Sequence, residues 1–351
     1  MTRRSCIILG ASGLVGQRLQ QRLVEHPLFK ISAIAGSPST AGIEMKDIPW
    51  RLDEARPEIP NLVVLDVNSS GFIEQCLERD IEIAFSGLPA DIALEVEKSL
   101  VDAGIMVFSN ASTYRRKPNI PMIIPEINSH HFHESLHYCA TNCTLIPLAI
   151  PVSAIANISS IKSVKMRSEQ ALSGAGWKLL YDNEALNGNV EPFIEGEAEK
   201  TSEELLHVLG VMNGQEISSA DFDLEIICER VSRRDGHQVF VEVIIENPVS
   251  IEQILTQFHL TKPSFELPSK PYHTIHHVEK IDTINHLWSD GETFTTNPNP
   301  TTDLKTGMAV IVGDLKVKEN TISFSAYSHN TIRGAAGGVV YLAEFVLNSL
   351  R

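Results

Sequence analysis

The chain has 351 residues, 43% hydrophobic and 21% charged, with a formal charge of −15, a composition typical of folded proteins of about two domains. No basic stripe interleaved with aromatic residues is present, which argues against nucleic acid as a partner. No apolar run reaches the roughly 18 residues that span a bilayer, and five scattered cysteines form no disulfide framework, so we expect a cytoplasmic protein with reduced thiols and no membrane partner.

Residues 1–143 alternate short β-branched runs with amphipathic stretches, which predicts a Rossmann-type, doubly wound parallel sheet with helices on both faces. Residues 144–328 contain longer alternating runs, such as SIKSVKMRSEQ and HQVFVEVIIEN, and predict an α+β domain with a mostly antiparallel sheet. A polar insertion at about 267–306 interrupts this domain, and its pattern fits an interface arm, a lid or a loop. The final segment, 329–351, predicts a helix with a Gly-Ala-rich start.

A glycine loop separates the first predicted strand from the first predicted helix, with Gly10, Gly13 and Gly16 in the spacing G-x-x-G-x-x-G. Small residues there allow a tight turn and close approach of a pyrophosphate to the helix N-terminus. We therefore expect a nicotinamide dinucleotide to contact the loop residues Gly10, Ser12, Gly13, Leu14, Val15 and Gly16. The alternative is a glycine-rich turn that only packs the helix on the strand.

The end of the second predicted strand bears on the choice between the two nicotinamide cofactors. An NAD site usually has an acidic residue there for the ribose hydroxyls, but this chain reads AGSPSTAG and has no acid until Glu44. The hydroxyls of Ser37, Ser39 and Thr40 are better suited to a 2′-phosphate. We therefore favour NADP(H), while NAD(H) is not excluded.

Cys143 is the candidate nucleophile, because it follows a short predicted strand and precedes an apolar helix. A helix N-terminus lowers the pKa of a thiol and offers free backbone amides to an oxyanion. A lone cysteine is more often a small buried hydrophobe, so other residues have to support the assignment. Further along the chain, Gln170 precedes a small-residue turn, and Arg230 lies seven residues before His237.

Glu197 and Lys200 lie about one helical turn apart, and taken alone they also fit an ordinary solvated ion pair.

Nine ordered runs together give a more specific signal than any one motif, among them GASGLVG, TNCT, EQALSGAG, GNVEPFIEGEAEK and HNTIRGAAG. Over nearly its whole length the chain resembles the aspartate-semialdehyde dehydrogenases, particularly the archaeal and fungal branch. The resemblance implies reduction of L-aspartyl-4-phosphate by NADPH to L-aspartate-4-semialdehyde with release of phosphate. This step leads towards lysine, threonine and methionine.

The same resemblance assigns roles to individual residues. Cys143 would form a thioester, His237 would deprotonate the thiol and later return the proton, and Gln170 would orient the acyl group. The substrate's charged groups would be met by Arg230 for the α-carboxylate, Glu197 for the α-ammonium, and Arg115, Asn142 and Lys200 for the phosphate. Ser173, Gly174 and Asn330 would lie near the nicotinamide.

The resemblance also implies that the last helix returns to the cofactor domain and that the chain forms a homodimer or homotetramer through the second domain's sheet.

The resemblance is incomplete in three places. Ser39 stands where relatives often have arginine, His329 stands where they usually have aspartate, and the insertion at 267–306 is longer and differently composed than the family pattern implies. Three alternatives therefore stay open: an N-acetylglutamyl-phosphate reductase, a malonyl-CoA reductase, and a non-catalytic NADP-binding regulatory protein.

Histidines cluster at 130–137 and at 273–277, but their spacing gives no convincing ligand set. We expect no metal site.

Overall fold

The computed structural model describes residues 3–214 and 216–351. The first six strands form one sheet in the order β3-β2-β1-β4-β5-β6, and every neighbouring pair is parallel. The strands are β1 (Arg4–Leu9), β2 (Phe29–Gly36), β3 (Leu65–Asp66), β4 (Ile83–Ser86), β5 (Met106–Ser109) and β6 (His137–Cys139). Strand order reverses beside β1, which places a crevice at the carboxyl ends of β1 and β4.

Helices cover both faces of this sheet, because alternate residues of each strand point to opposite sides. Cys6 and Ile8 of β1 belong to the core formed with the first and last helices, whereas Ile7 and Leu9 belong to the core on the other face. The helices are α1 (Leu14–Leu23), α2 (Phe72–Leu77), α3 (Ala90–Asp102) and the last one, α9 (Gly337–Ser349). The predicted doubly wound fold is confirmed, and α9 packs on the first sheet.

A second sheet has the order β10-β7-β11-β14-β13-β12. Its three central pairs are antiparallel, and the two edge pairs, β10 with β7 and β12 with β13, are parallel. The strands are β7 (Ile161–Gln170), β10 (Asp223–Arg230), β11 (His237–Ile245), β12 (Ile275–His277), β13 (Val310–Lys318) and β14 (Thr321–Ser328). The sheet is therefore mostly antiparallel, as predicted, with parallel edges that the sequence did not indicate.

One face of the second sheet is covered by helices and the other is open. The remaining elements are α4 (Leu145–Ala156), α5 (Trp177–Leu180), α6 (Asn183–Leu186), α7 (Glu197–Val208), α8 (Ile251–Leu260) and the hairpin β8 (Val211–Asn213) and β9 (Glu216–Ser218). The apolar helix α4 packs in the core beneath this sheet. Within the described residues, no helix has both the length and the apolar character needed to cross a membrane.

The insertion at 267–306 is packed against the rest of the molecule. It contributes β12 to the edge of the second sheet, and its Leu267 and Trp288 join the core of the first. The buried Arg22 of α1 donates to the carbonyl of Leu304, and Glu344 of α9 accepts the backbone N–H of Ser269 at 2.9 Å. The insertion is thus a strap that joins the two sheets.

Candidate active site

Cys143 lies between β6 and α4, as the sequence predicted, and faces His237. Cys143 Sγ is 3.2 Å from His237 Nε2. Gly334 packs behind the cysteine so closely that a Cβ added there would lie 2.6 Å from Cys143 Cβ. Cys143 is therefore held between the start of α4 and the turn that precedes α9.

His237 is the first residue of β11 and is fully buried. The backbone N–H of Ala171 donates to His237 Nδ1 at 3.0 Å, so the neutral ring carries its hydrogen at Nε2, facing the sulfur. Burial lowers the pKa of His237 to about 3, and the positive charges of Arg233 and Arg230 act in the same direction. A neutral imidazole that donates to sulfur is therefore the resting form.

The thiol itself differs from the sequence-based expectation. Burial, followed by the negative charge of Glu197, raises the pKa of Cys143 to about 12, while the positive charge of Arg115 opposes the shift. The expectation of a lowered thiol pKa is wrong for the free enzyme, because loss of water around the sulfur outweighs the helix N-terminus.

Gln170 and Arg230 end neighbouring parallel strands and are paired in register. Gln170 is buried, and Arg230 N donates to the carbonyl of Pro192 at 2.8 Å. The Nε of Arg230 is buried and has no hydrogen-bond partner in the parts of the chain that the structure describes. A half-buried guanidinium whose buried Nε has no partner is suited to bind a carboxylate.

The first turn of α7 carries Glu197 and Lys200, and the negative charge of Glu197 acts on the Cys143 thiol. Glu197 Oε1 lies 3.5 Å from Thr144 Oγ1, and Lys200 is exposed. Across residues 3–214 and 216–351 no ion pair joins Glu197 to Lys200, so the simple surface pair does not form. Both charges remain available to a ligand.

Arg115 and Asn142 have extensive contacts within the protein. Arg115 donates to the carbonyls of Ala140 at 2.9 Å and Asn110 at 2.7 Å, and it pairs with Glu204. Asn142 Oδ1 accepts the backbone N–H of Leu145, the first residue of α4, at 2.8 Å. Sequence reasoning missed Glu204, since nothing in its local pattern distinguishes it from the other acids of α7.

The glycine loop has the geometry of a dinucleotide cradle. Gly10 has a φ of +74°, and Gly13 N donates to the carbonyl of Gly10 at 3.0 Å. A Cβ at Gly16 would lie 2.2 Å from that carbonyl oxygen, so only glycine fits there. Loop residues Ser12, Leu14 and Val15 lie within or directly after this turn, at the N-terminus of α1, where a pyrophosphate binds.

Two further groups of predicted cofactor residues flank the crevice. Ser37, Ser39 and Thr40 form a hydroxyl-rich turn after β2, in which the two serines are exposed and Thr40 is half-buried, with Ser37 Oγ 2.8 Å from Ser39 Oγ. On the other side, Asn330 Nδ2 donates to Ser173 Oγ at 2.8 Å and Asn330 Oδ1 accepts from Gly236 N at 2.7 Å. Gly174, the residue after Ser173, packs against the ring of His237. A Cβ added to Gly174 would lie 3.1 Å from His237 Cε1.

The histidine clusters do not assemble a metal centre. His131 Nε2 lies 3.0 Å from the carbonyl of Gly210, and its Nδ1 lies 2.9 Å from Asn128 Nδ2. Among the residues with described positions, no three histidine, cysteine or acidic side chains are arranged to hold a metal ion.

The fold and this site define a nicotinamide-dependent oxidoreductase, with Cys143 as its candidate nucleophile. The family described as "Semialdehyde dehydrogenase, NAD binding domain" matches residues 5–135. The chain is 34% identical to an aspartate-semialdehyde dehydrogenase of Archaeoglobus fulgidus, over 98% of both chains. It therefore belongs to the aspartate-semialdehyde dehydrogenase family.

Two other similarities bear on cofactor and substrate. The solved structure of Candida albicans aspartate-semialdehyde dehydrogenase with NADP matches 98% of both chains, with a TM-score of 0.79 and 27% identity. A malonyl-CoA reductase (NADP) of Metallosphaera sedula is 29% identical over 97% of this chain and 96% of its own length.

Proposed function

We propose that the protein catalyses the reversible reductive dephosphorylation of L-aspartyl-4-phosphate to L-aspartate-4-semialdehyde, using NADP(H), in the biosynthesis of lysine, threonine and methionine. The contact that carries this proposal is the 3.2 Å approach of Cys143 Sγ to His237 Nε2, next to an arginine with an unpartnered, buried Nε. Together they provide a nucleophile, a hydrogen-bond donor and a site for an anionic substrate.

The reaction proceeds through a covalent thioester. The Cys143 thiol gives its proton to water, the sulfur attacks the acyl carbon of aspartyl phosphate, the bond from carbon to the phosphate oxygen breaks, and phosphate leaves. NADPH, when bound along the glycine loop, supplies the hydride that reduces the thioester. The resulting tetrahedral oxyanion then collapses, the carbon–sulfur bond breaks, and the aldehyde and the thiolate are released.

His237 acts through the hydrogen on Nε2. Because Ala171 N–H occupies Nδ1, this hydrogen stabilises first the thiolate and then the oxyanion. For His237 to take the thiol proton as a base, as the sequence suggested, the bond from Ala171 would have to break. The geometry therefore favours His237 as a hydrogen-bond donor to the sulfur over His237 as a base.

Substrate recognition follows from the charges around the sulfur. Arg230 binds the α-carboxylate, Glu197 binds the α-ammonium, and Gln170, at the end of β7, orients the acyl group. Exposed Lys200 binds the phosphate. Arg115 and Asn142 contribute chiefly by holding the nucleophile's turn, since their polar groups already bond to Ala140, Asn110, Glu204 and Leu145.

The cofactor is NADP(H). The glycine loop takes the pyrophosphate, and the hydroxyls of Ser37, Ser39 and Thr40 lie at the end of β2, where the 2′-phosphate of such cofactors is bound. Ser173, Gly174 and Asn330 shape the nicotinamide side of the crevice next to His237. All five cysteines are free, which supports the cytoplasm as the protein's compartment.

We propose that the protein assembles through the open face of the second sheet, as a homodimer in the simpler of the two expected arrangements. Ile227 and Phe240 are exposed there, among ion pairs such as Lys165–Glu225 at 2.9 Å. Changing both apolar residues to lysine should give monomers in analytical ultracentrifugation. Leu260→Lys, on the exposed side of α8, is the control and should leave the dimer intact.

The direct test mixes the protein with aspartate semialdehyde, phosphate and NADP, then with NAD, and follows the absorbance of the reduced cofactor. We expect activity with NADP and a loss of roughly a thousandfold or more in Cys143→Ser. Cys76→Ala, in α2, is the control and should keep its activity. Binding of NADP without reduction would favour the non-catalytic regulatory protein.

Glu197 separates the proposed substrate from the other acyl donors, because only aspartyl phosphate and its semialdehyde carry a free α-ammonium. Glu197→Gln should raise KM for aspartate semialdehyde about tenfold or more, whereas Glu199→Gln, exposed on the same helix, should not. An unchanged KM would point to a malonyl-CoA or N-acetylglutamyl-phosphate reductase instead.

A further inference from the structure

A buried carboxylate accepts a hydrogen bond from the backbone of the turn that carries Cys143. Glu204 lies in α7 and is 2% exposed. Its Oε2 accepts the backbone N–H of Asn142 at 2.7 Å, and its Oε1 accepts from Arg115 Nη1 at 2.9 Å. Arg115 in turn donates Nε to the carbonyl of Ala140 at 2.9 Å. Glu204 and Arg115 therefore bind the amide of Asn142 and the carbonyl of Ala140, one and three residues before Cys143.

The same helix links this turn to the residues proposed for substrate recognition. Glu197 and Lys200 occupy the first turn of α7, and Thr201 Oγ1 accepts from Asn142 Nδ2 at 3.4 Å. Any shift of α7 relative to the turn would move the ammonium and phosphate ligands relative to the sulfur. A near-attack geometry tolerates little such displacement.

The two charges also act on the sulfur in opposite directions. The carboxylate of Glu204 raises the pKa of Cys143 and the guanidinium of Arg115 lowers it, both as smaller effects than burial. Removing only the carboxylate would leave Arg115 as an unbalanced positive charge beside the thiol. The thiol should then ionise more easily even though the turn is less well held.

We propose that Glu204 is a positioning residue that fixes the Cys143 turn against α7 and balances the charge of Arg115 beside the sulfur. The catalytic part of this inference rests on the proposed function, while its electrostatic part does not. A residue that served stability alone would not alter the ionisation of the thiol.

The experiment compares Glu204→Gln with Glu203→Gln, which removes a neighbouring carboxylate that pairs with Arg116 at the surface. Alkylation of Cys143 by iodoacetamide, followed by mass spectrometry, should be about tenfold faster in E204Q at about pH 8. Its kcat should fall about tenfold or more while KM stays within about threefold. E203Q should match the parent protein in every measurement.

The alkylation measurement needs no substrate, so it tests the inference even if the protein does not act on aspartate semialdehyde. An alkylation rate or a kcat equal to that of E203Q would overturn the proposal. If E204Q does not fold, Glu204→Asp carries the test, since it keeps the charge but is too short to reach both partners. E204D should alkylate at the parent rate with a lowered kcat, and a parent-like kcat would overturn the proposal.

Discussion

Cys143 and His237 form a pair whose protonation is set by one backbone contact. Ala171 N–H donates to Nδ1, and a second hydrogen on the ring would have to displace that donor. The low pKa of His237, about 3, and the high pKa of Cys143, about 12, both follow from burial. A thiolate–imidazolium ion pair, which would hold the sulfur ionised at neutral pH, is therefore disfavoured in the free enzyme.

This protonation state predicts how the reactivity of the Cys143 thiol depends on pH. The rate of Cys143 alkylation by iodoacetamide should rise roughly tenfold per pH unit from about pH 7 to 9, because the neutral thiol dominates throughout. Mass spectrometry of the Cys143 peptide gives the rate, with the buried Cys139 as an internal control. A rate that is flat between about pH 6 and 8 would indicate the ion pair and refute the proposed protonation.

Among single residues, the sequence predicted those that stand next to a clear helix or strand pattern. Cys143 stands before a helix, and Gln170, Arg230 and His237 stand at strand ends, so their meeting follows from the fold. Glu204 could not be found in this way, because it reaches the backbone of Asn142, 62 positions earlier in the chain. Long-range packing also decides that Arg115 bonds mainly to the protein.

Among the elements, the first sheet was the most predictable because both faces of its strands are buried. Its strands read as continuous apolar runs, and the glycine loop marks where the first strand passes into α1. The parallel edges of the second sheet were not predictable, since strand partners such as β7 and β10 lie far apart in sequence. The strap at 267–306 was equally hidden, because its anchors are isolated residues such as Trp288 in a polar segment.

The glycine loop gives a matched pair of substitutions. Gly16→Ala should destabilise the protein by about 1–3 kcal/mol, because its Cβ would lie 2.2 Å from the carbonyl oxygen of Gly10. Gly13→Ala should change stability little, since Gly13 has a φ of −79° and its Cβ would lie 3.4 Å from the same oxygen. Urea denaturation measures the unfolding free energy of both variants. A loss in Gly16→Ala as small as that in Gly13→Ala would contradict the predicted clash at Gly16.

At the scale of the whole molecule, buried polar groups join the cofactor domain to the strap and the last helix. His329 is fully buried, and its ring meets that of Trp288 edge-on with centroids 4.3 Å apart. Burial, with the positive charges of Arg18 and Arg22, holds the pKa of His329 well below its usual range. Burial also lowers the pKa of His207, to about 4. The interior therefore contains several histidines that fold in the neutral form.

These histidines set the acid stability of the fold. Unfolding returns each imidazole to its ordinary pKa of about 6.5, so the unfolded chain takes up protons that the folded chain cannot. The stabilisation is fully present above about pH 6.5 and is lost as the pH falls below it, by about 1.4 kcal/mol per pH unit for each histidine. Urea denaturation at about pH 7.5 and 5.5 should show this loss. His329→Asn should reduce the dependence of the unfolding free energy on pH by the contribution of one histidine. His259→Asn, at an exposed position on α8, should leave that dependence unchanged. Equal pH dependence in the two variants would contradict the role assigned to His329.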